Sequence, residues 1–123
     1  MTSFSVYERF MKRYEAEHPV LTTTFAVDAF VSYMAHVGHV VELEFCPAAS
    51  VAYHAAYYPD FGDITYTTPD TTWHVILHEY AHAVRDYLAM PGDPVSTNDD
   101  EDHDKTFVAI MVHIVNDFVE WAA

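Results

Sequence analysis

The chain has 123 residues, 51% of them hydrophobic, so it is long enough to form one domain around its own core. Nineteen acidic residues against five basic ones give a formal net charge of -14, which argues against binding to nucleic-acid phosphates. The single cysteine, Cys46, excludes an internal disulfide and a cysteine-rich zinc cluster.

The N-terminal region and the spread of apolar residues predict where the protein resides. Residues 1–17 lack the basic-then-apolar layout of a signal peptide. No segment approaches the roughly 18 uninterrupted apolar residues of a membrane span. A lone cysteine is compatible with a reducing compartment. We therefore expect a cytoplasmic protein without membrane association, and the sequence leaves its oligomeric state open.

Two helices are predicted in the N-terminal third. Ser5 and Glu8 have the spacing of a capping box, which opens a short helix that Pro19 ends at or just after Glu17. A second helix, capped within threonines 22–24, is predicted to end at Gly38. Its apolar residues recur at helical spacing: Phe25, Val27, Phe30, Val31 and Met34.

A small sheet is predicted next. Val41, Leu43 and Phe45 alternate with glutamates, which is typical of a half-buried strand. Segments 51–58 and 63–68 flank a Pro-Asp-Phe-Gly turn signal and predict a hairpin. We therefore expect a mainly antiparallel sheet of about three strands.

A central helix and a C-terminal helix complete the predicted fold. Asp70 is the expected cap of a nearly all-apolar helix that ends at about Ala89 or Met90 and is buried between the sheet and another helix. A polar loop, 92–102, leads to a last helix with a sustained apolar stripe, starting near Asp102 to Lys105. The predicted class is α+β, a single domain over 1–123 in which a small antiparallel sheet packs on the central helix, with two N-terminal helices and a C-terminal core helix.

The central helix contains His78-Glu79-Tyr80-Ala81-His82, an H-E-x-x-H pattern. Side chains four residues apart share a helix face, so His78 and His82 can both bind one metal ion. Glu79 can then take a proton from a metal-activated water. Two histidines and a glutamate would be costly on an apolar, buried helix unless a divalent ion compensated them. Histidine ligands favour zinc as this cofactor.

A catalytic zinc needs three protein ligands and an open position. The extended H-E-x-x-H-x-x-G-x-x-H form is excluded, because Arg85 stands at the glycine position and Leu88 at the last histidine position. His103, at the start of the final helix, is therefore the favoured third ligand. The alternatives are three neighbouring carboxylates and two other histidines: Glu101, Asp102, Asp104, His74 and His113.

The two other histidines are weaker alternatives for physical reasons. Ligands at 74, 78 and 82 would spread along about 12 Å of helix, which is too far for one ion. His113 falls within the C-terminal core helix, where a hydrogen-bonded core histidine is the simpler interpretation.

The H-E-x-x-H helix, the polar loop and His103-Asp104-Lys105-Thr106-Phe107 together resemble the SprT-like zinc metallopeptidases. In that family a third histidine opens the next helix in an H-G-P-x-F-like segment. The resemblance covers 72–107 and is also close to compact, stand-alone metallopeptidases of phages and bacteria. It implies that His78, His82 and His103 are zinc ligands and that Glu79 is the general base.

The chain departs from that family pattern in two ways. Asp104-Lys105 replaces the usual Gly-Pro, and neither a cysteine-rich zinc ribbon nor a basic DNA-binding tail follows. The DNA-linked roles of some family members are therefore not carried over.

These features predict a zinc-dependent metallopeptidase that hydrolyses a polypeptide substrate. The alternatives are a catalytically silent zinc-binding interaction module of the same fold and a purely structural role for the histidines. An exposed strand edge at Asp63–Thr67 is a candidate for holding an extended substrate. Candidate oxyanion donors are four tyrosines, although tyrosines on a sheet face more often serve packing: Tyr53, Tyr57, Tyr58 and Tyr66.

Overall fold

The computed structural model describes residues 3–48, 54–88 and 104–123. Within these ranges the helices are α1 (Ser3–Glu17), α2 (Val27–Val37), α3 (Trp73–Leu88) and α4 (Lys105–Ala122). The strands are β1 (Glu42–Phe45), β2 (Ala55–Tyr58) and β3 (Asp63–Tyr66), and a 3-10 turn at Pro19–Thr22 lies between α1 and α2. The predicted α+β class with a small sheet is confirmed.

The three-stranded sheet is mixed, so the expectation of a mainly antiparallel sheet was wrong. β2 and β3 form the predicted antiparallel hairpin, in which Gly62 adopts a positive φ of 68° at the turn. β1 instead pairs in parallel with β3, with Leu43 opposite Ile64. The strand order is β1-β3-β2, so β3 is the central strand and pairs with both of the others.

α3 lies at the centre of the core, as its apolar sequence predicts. It packs against α4 and against β2, and α1 packs against α4. The buried side chains of α3 are Trp73, Ile76, Leu77, Tyr80, Ala81 and Ala83. Those of α4 are Phe107, Met111, Ile114, Val115 and Phe118. None of the helices in the described part of the chain combines the length and apolar content that crossing a lipid bilayer requires.

The predicted helix boundaries are partly corrected. α1 begins at Ser3, so the capping box at Ser5 does not open it, although it ends at Glu17 as predicted. The predicted end of the central helix at Ala89 or Met90 lies outside the described residues. α4 begins at Lys105, within the predicted interval.

The threonines at 22–24 do not cap α2. The hydroxyls of Thr22 and Thr23 donate to the carbonyls of Pro19 and Val20 within the 3-10 turn. Ala26 occupies the N-cap position of α2 and has no side-chain hydrogen bond. Threonine hydroxyls can bond nearby backbone groups instead of capping a helix, and Thr22 and Thr23 do so here.

Asp70 does not cap α3 either. It lies in a turn, where its backbone N–H donates to Thr68 Oγ1. Trp73, the first residue of α3, donates its N–H to the carbonyl of Thr23. A contact between distant segments therefore satisfies a helix N–H that a local cap was expected to bind.

Gly38 ends α2 as predicted, in the left-handed conformation with φ of 90°. We expect Gly38→Ala to lower the free energy of unfolding by about 1 kcal/mol, because a side chain at this φ is strained. An added Cβ would meet no heavy atom of the described residues within 4 Å, so the loss would come from the backbone alone. Denaturant titration measures it. Gly38→Asn should lose less unfolding free energy, because asparagine tolerates a positive φ better than alanine does. Equal losses for both variants would contradict backbone strain as the cause.

Candidate metal centre

His78, Glu79 and His82 lie together on one half-buried face of α3. One potential ligand atom from each, either an imidazole nitrogen or a carboxylate oxygen, lies within 4.8 Å of the other two. Nitrogens bound to a tetrahedral zinc at about 2.1 Å lie about 3.4 Å apart, which falls within the 4.8 Å limit that these ligand atoms meet. The donor set therefore fits a zinc ion, and the shared face that the i, i+4 spacing predicts is present.

Phe107, in the first turn of α4, packs against both histidine rings. Its centroid lies 4.4 Å from that of His82 in a stacked arrangement and 5.0 Å from that of His78 in an edge arrangement. Phe107 is fully buried. The start of α4 therefore lies directly against the two candidate ligands.

The Glu79 carboxylate is held by the neighbouring strand. The backbone N–H of Tyr57, in β2, donates to Glu79 Oε2 across 3.1 Å. Burial raises the pKa of Glu79 to about 7, and the bond from Tyr57 opposes this rise. A carboxylate with a pKa near neutrality is suited to accept and release a proton at neutral pH.

Two of the four tyrosines that are candidate oxyanion donors make other contacts in the structure. The hydroxyl of Tyr57 donates to Asp86 Oδ2 at 2.9 Å, which occupies its proton. Tyr66 packs against the rings of Phe25 and Phe45 and serves packing. Tyr58 is partly exposed, and Tyr53 lies outside the described residues.

The predicted third ligand, His103, lies outside the described residues, as do the alternatives Glu101 and Asp102. The structure brings His74 into other contacts. His74 Nδ1 contacts Glu15 Oε1, and His74 Nε2 lies 3.0 Å from the hydroxyl of Tyr7. Both ring nitrogens are thus engaged away from the cluster. Burial lowers the pKa of His74, and Glu15 opposes this.

The remaining alternatives also lie outside the cluster. His113 is exposed, so its interpretation as a core histidine was wrong: the apolar stripe of α4 passes on the other side of the helix. Asp104 caps α4, accepting the N–H of Phe107 on Oδ1 at 2.9 Å. Both of its oxygens also accept hydrogen bonds from Arg85. Burial alone would raise the pKa of Asp104, but Arg85 and the Phe107 N–H hold it below its ordinary value.

We expect Asp104→Ala to lower the free energy of unfolding of the metal-free protein by about 1 kcal/mol at pH 7, through loss of the cap. The folded-state pKa of this carboxyl is lowered, so its contribution is present above its ordinary pKa of 3.8 and disappears as the pH falls through the folded value. Denaturant titrations should therefore show a smaller difference in the free energy of unfolding between wild type and Asp104→Ala near pH 2 than at pH 7. Asp70→Ala, an exposed control, should change nothing at either pH. A difference in unfolding free energy that does not change with pH would contradict the role of the ionised Asp104 carboxylate as a cap.

Four features of the site escaped prediction from the sequence: the Tyr57 N–H, the Tyr7–His74 bond, the packing of Phe107 and the Arg85–Asp104 pair. The first two join residues 22 and 67 positions apart, and no local pattern signals such contacts. The third follows only from how α3 and α4 cross. For the last, the sequence signals only the cap role of Asp104, because an aspartate immediately before an apolar helix is a typical cap, and not its pairing with Arg85.

Comparison with protein-family models, curated proteins and solved structures gives no match for this chain.

Proposed function

We propose that the protein is a zinc-dependent metallopeptidase whose centre is the H-E-x-x-H face of α3. The observation that carries the proposal is the convergence of His78, His82 and Glu79, with the carboxylate oriented by a backbone N–H of the adjacent strand. Two imidazoles beside a carboxylate of near-neutral pKa form a set suited to binding zinc and moving a proton.

A zinc ion bound here would supply Lewis acidity, which would polarise a peptide carbonyl and lower the pKa of an attacking water. Glu79 accepts the proton of that water and passes it to the leaving amine. The Tyr57 N–H bonded to Oε2 orients the carboxylate and leaves Oε1 to take the proton. Phe107 shields one side of both histidine rings from solvent.

We propose His103 as the third ligand. It stands four residues before Phe107 in the sequence and immediately before Asp104, the N-cap of α4. Phe107 lies against both other candidate ligands, so the chain reaches the site at this point. The resemblance to SprT-like metallopeptidases, in which a histidine opens the next helix, remains part of this proposal.

The substrate edge is reassigned from β3 to β2. β3 is paired on both sides, by β1 and by β2, so Asp63–Thr67 offers no free edge for strand addition. β2 is the outer strand beside α3, and its Tyr57 N–H points towards Glu79 rather than β3. Alternate backbone groups of β2 therefore face outwards. An extended polypeptide that pairs with β2 would lie beside Glu79 and would use the outward backbone groups other than the Tyr57 N–H, which the Glu79 carboxylate binds.

A cleavage screen distinguishes a peptidase from a zinc-binding module that performs no turnover. Zinc-loaded protein would be incubated with a broad peptide library and with an unfolded polypeptide, and the products mapped by mass spectrometry. A peptidase yields new termini with wild type, and yields them at least about a hundredfold more slowly with Glu79→Gln. Stoichiometric zinc binding without any new termini would favour the interaction module.

A further inference from the structure

The first turn of α3 is attached to α1 by a chain of three polar side chains, which we call the Glu15–His74–Tyr7 chain. Glu15 and Tyr7 lie eight residues apart on α1, and between them they engage both ring nitrogens of His74. An ionised carboxylate only accepts hydrogen bonds, so Nδ1 of His74 is the donor to Glu15. In the neutral imidazole Nε2 is then the acceptor, and the Tyr7 hydroxyl donates to it.

Tyr7 is also a neighbour of the candidate metal ligands. Its ring centroid lies 6.2 Å from that of His78 at an interplanar angle of 45°. It lies 6.3 Å from that of Phe107 in an edge arrangement. His78 thus has Tyr7 from α1 and Phe107 from α4 beside it, and Tyr7 is only 2% exposed.

The polarity of this contact calls for an explanation beyond packing. Apolar side chains of similar volume could join α1 to α3 without the desolvation that burying a hydroxyl and an imidazole requires. Hydrogen bonds add direction, because the bond from the Tyr7 hydroxyl to His74 Nε2 fixes where the long axis of the Tyr7 ring points. A ring whose axis is fixed beside His78 would limit the space in which that imidazole can rotate.

We propose that Tyr7, oriented by His74 and Glu15, is a positioning residue that holds His78 in its metal-binding rotamer. The inference rests on the proposed zinc site but not on peptidase turnover. Hydrogen-bond partners of metal-binding histidines commonly change metal affinity by about 10- to 100-fold when they are removed, and we expect the ring contact of Tyr7 with His78 to act at the lower end of this range.

The test is the zinc affinity of Tyr7→Phe, measured in the full chain by competition with a chromophoric chelator. This variant keeps the ring but removes the bond to His74, and we expect zinc binding to weaken about tenfold. The d-d absorption spectrum of the cobalt-substituted variant should also shift, because it reports ligand geometry at the metal.

Tyr33→Phe is the matched control. Tyr33 is a fully buried tyrosine whose hydroxyl shares its one proton between Asp117 Oδ2 and the carbonyl of Ile114, so the same chemical change removes a buried hydroxyl elsewhere in the core. It should lower thermal stability without changing zinc affinity or the cobalt spectrum. Equal zinc affinities for the Tyr7 and Tyr33 variants would overturn the proposal.

Glu15 supplies a second test, which serves even if Tyr7→Phe does not fold. Its side chain is about a quarter exposed, whereas Tyr7 is 2% exposed, so its replacement should disturb the core less than a change at Tyr7. Glu15→Ala should weaken zinc binding, and Glu15→Gln, which keeps an acceptor for His74 Nδ1, should restore much of it. Equal weakening by both variants would contradict an orienting role.

The wild-type titration separates this inference from the proposed function. Absence of zinc binding by wild type would overturn both. Zinc binding that His78→Ala abolishes, with no effect of Tyr7→Phe, would overturn only the role of Tyr7. Zinc binding weakened by Tyr7→Phe in a protein that cleaves no peptide would support the role of Tyr7 and reject the peptidase.

Discussion

Replacing Glu79 by glutamine is expected to lower kcat/KM for peptide hydrolysis by about 10²- to 10⁴-fold, which is the usual contribution of a general base. The amide keeps an oxygen that can accept the Tyr57 N–H, so the local contact with β2 should survive. It cannot accept a proton from water at neutral pH. Zinc affinity should change little, because the proposed ligands are the histidines. Steady-state kinetics and a zinc titration of the same preparation measure both quantities.

Two comparisons make the Glu79 result decisive. Glu44→Gln, an identical change at an exposed position of β1, should leave kinetics and zinc binding unchanged. Glu79 also lies close enough to the two histidines to act as a ligand itself. If Glu79→Gln lost zinc binding together with activity, the carboxylate would be a ligand and its role as general base would be rejected.

Removing a ligand should have the second large effect. His82→Ala and His103→Ala are each expected to weaken zinc binding by at least about a hundredfold, since the free energy of binding is shared among few ligands. His82→Ala also removes the ring stacked on Phe107, so circular dichroism must show that the variant is folded. Competition titration measures the affinity.

His113→Ala is the matched control for the ligand variants. His113 is an exposed histidine of α4, and its loss should leave the affinity unchanged. An unchanged affinity for His103→Ala would remove His103 from the ligand set while leaving His78 and His82 in place. An unchanged affinity for His82→Ala would reject the H-E-x-x-H site itself.

Local periodicity accounts for what the sequence predicted well. The shared face of His78 and His82 follows from the 3.6-residue repeat alone. The hairpin follows from strand propensity on both sides of a turn that contains Gly62. The end of α2 at Gly38 depends on one residue that tolerates the left-handed conformation. Each of these features is decided by residues within about one helical turn or one tight turn.

The features that the sequence missed depend on contacts between distant segments. Alternation of Leu43 and Phe45 with glutamates predicts a strand, but not that its partner would be β3 in parallel. The N–H of Trp73 is bound by Thr23 rather than by the neighbouring Asp70. The sequence predicts His74 as a possible ligand because it lies one turn before His78. Its hydrogen bonds with Tyr7 and Glu15 depend on how α1 packs against α3.

The most direct test is peptide hydrolysis by metal-free protein titrated with zinc, with new termini counted by mass spectrometry. We predict no hydrolysis without metal, activity that rises linearly and saturates at one equivalent of zinc, and activity at least about a hundredfold lower in Glu79→Gln at every zinc concentration. Hydrolysis that persists without metal, that proceeds in Glu79→Gln at the wild-type rate, or that is absent from the fully zinc-loaded wild type would contradict a zinc peptidase centred on His78, Glu79 and His82.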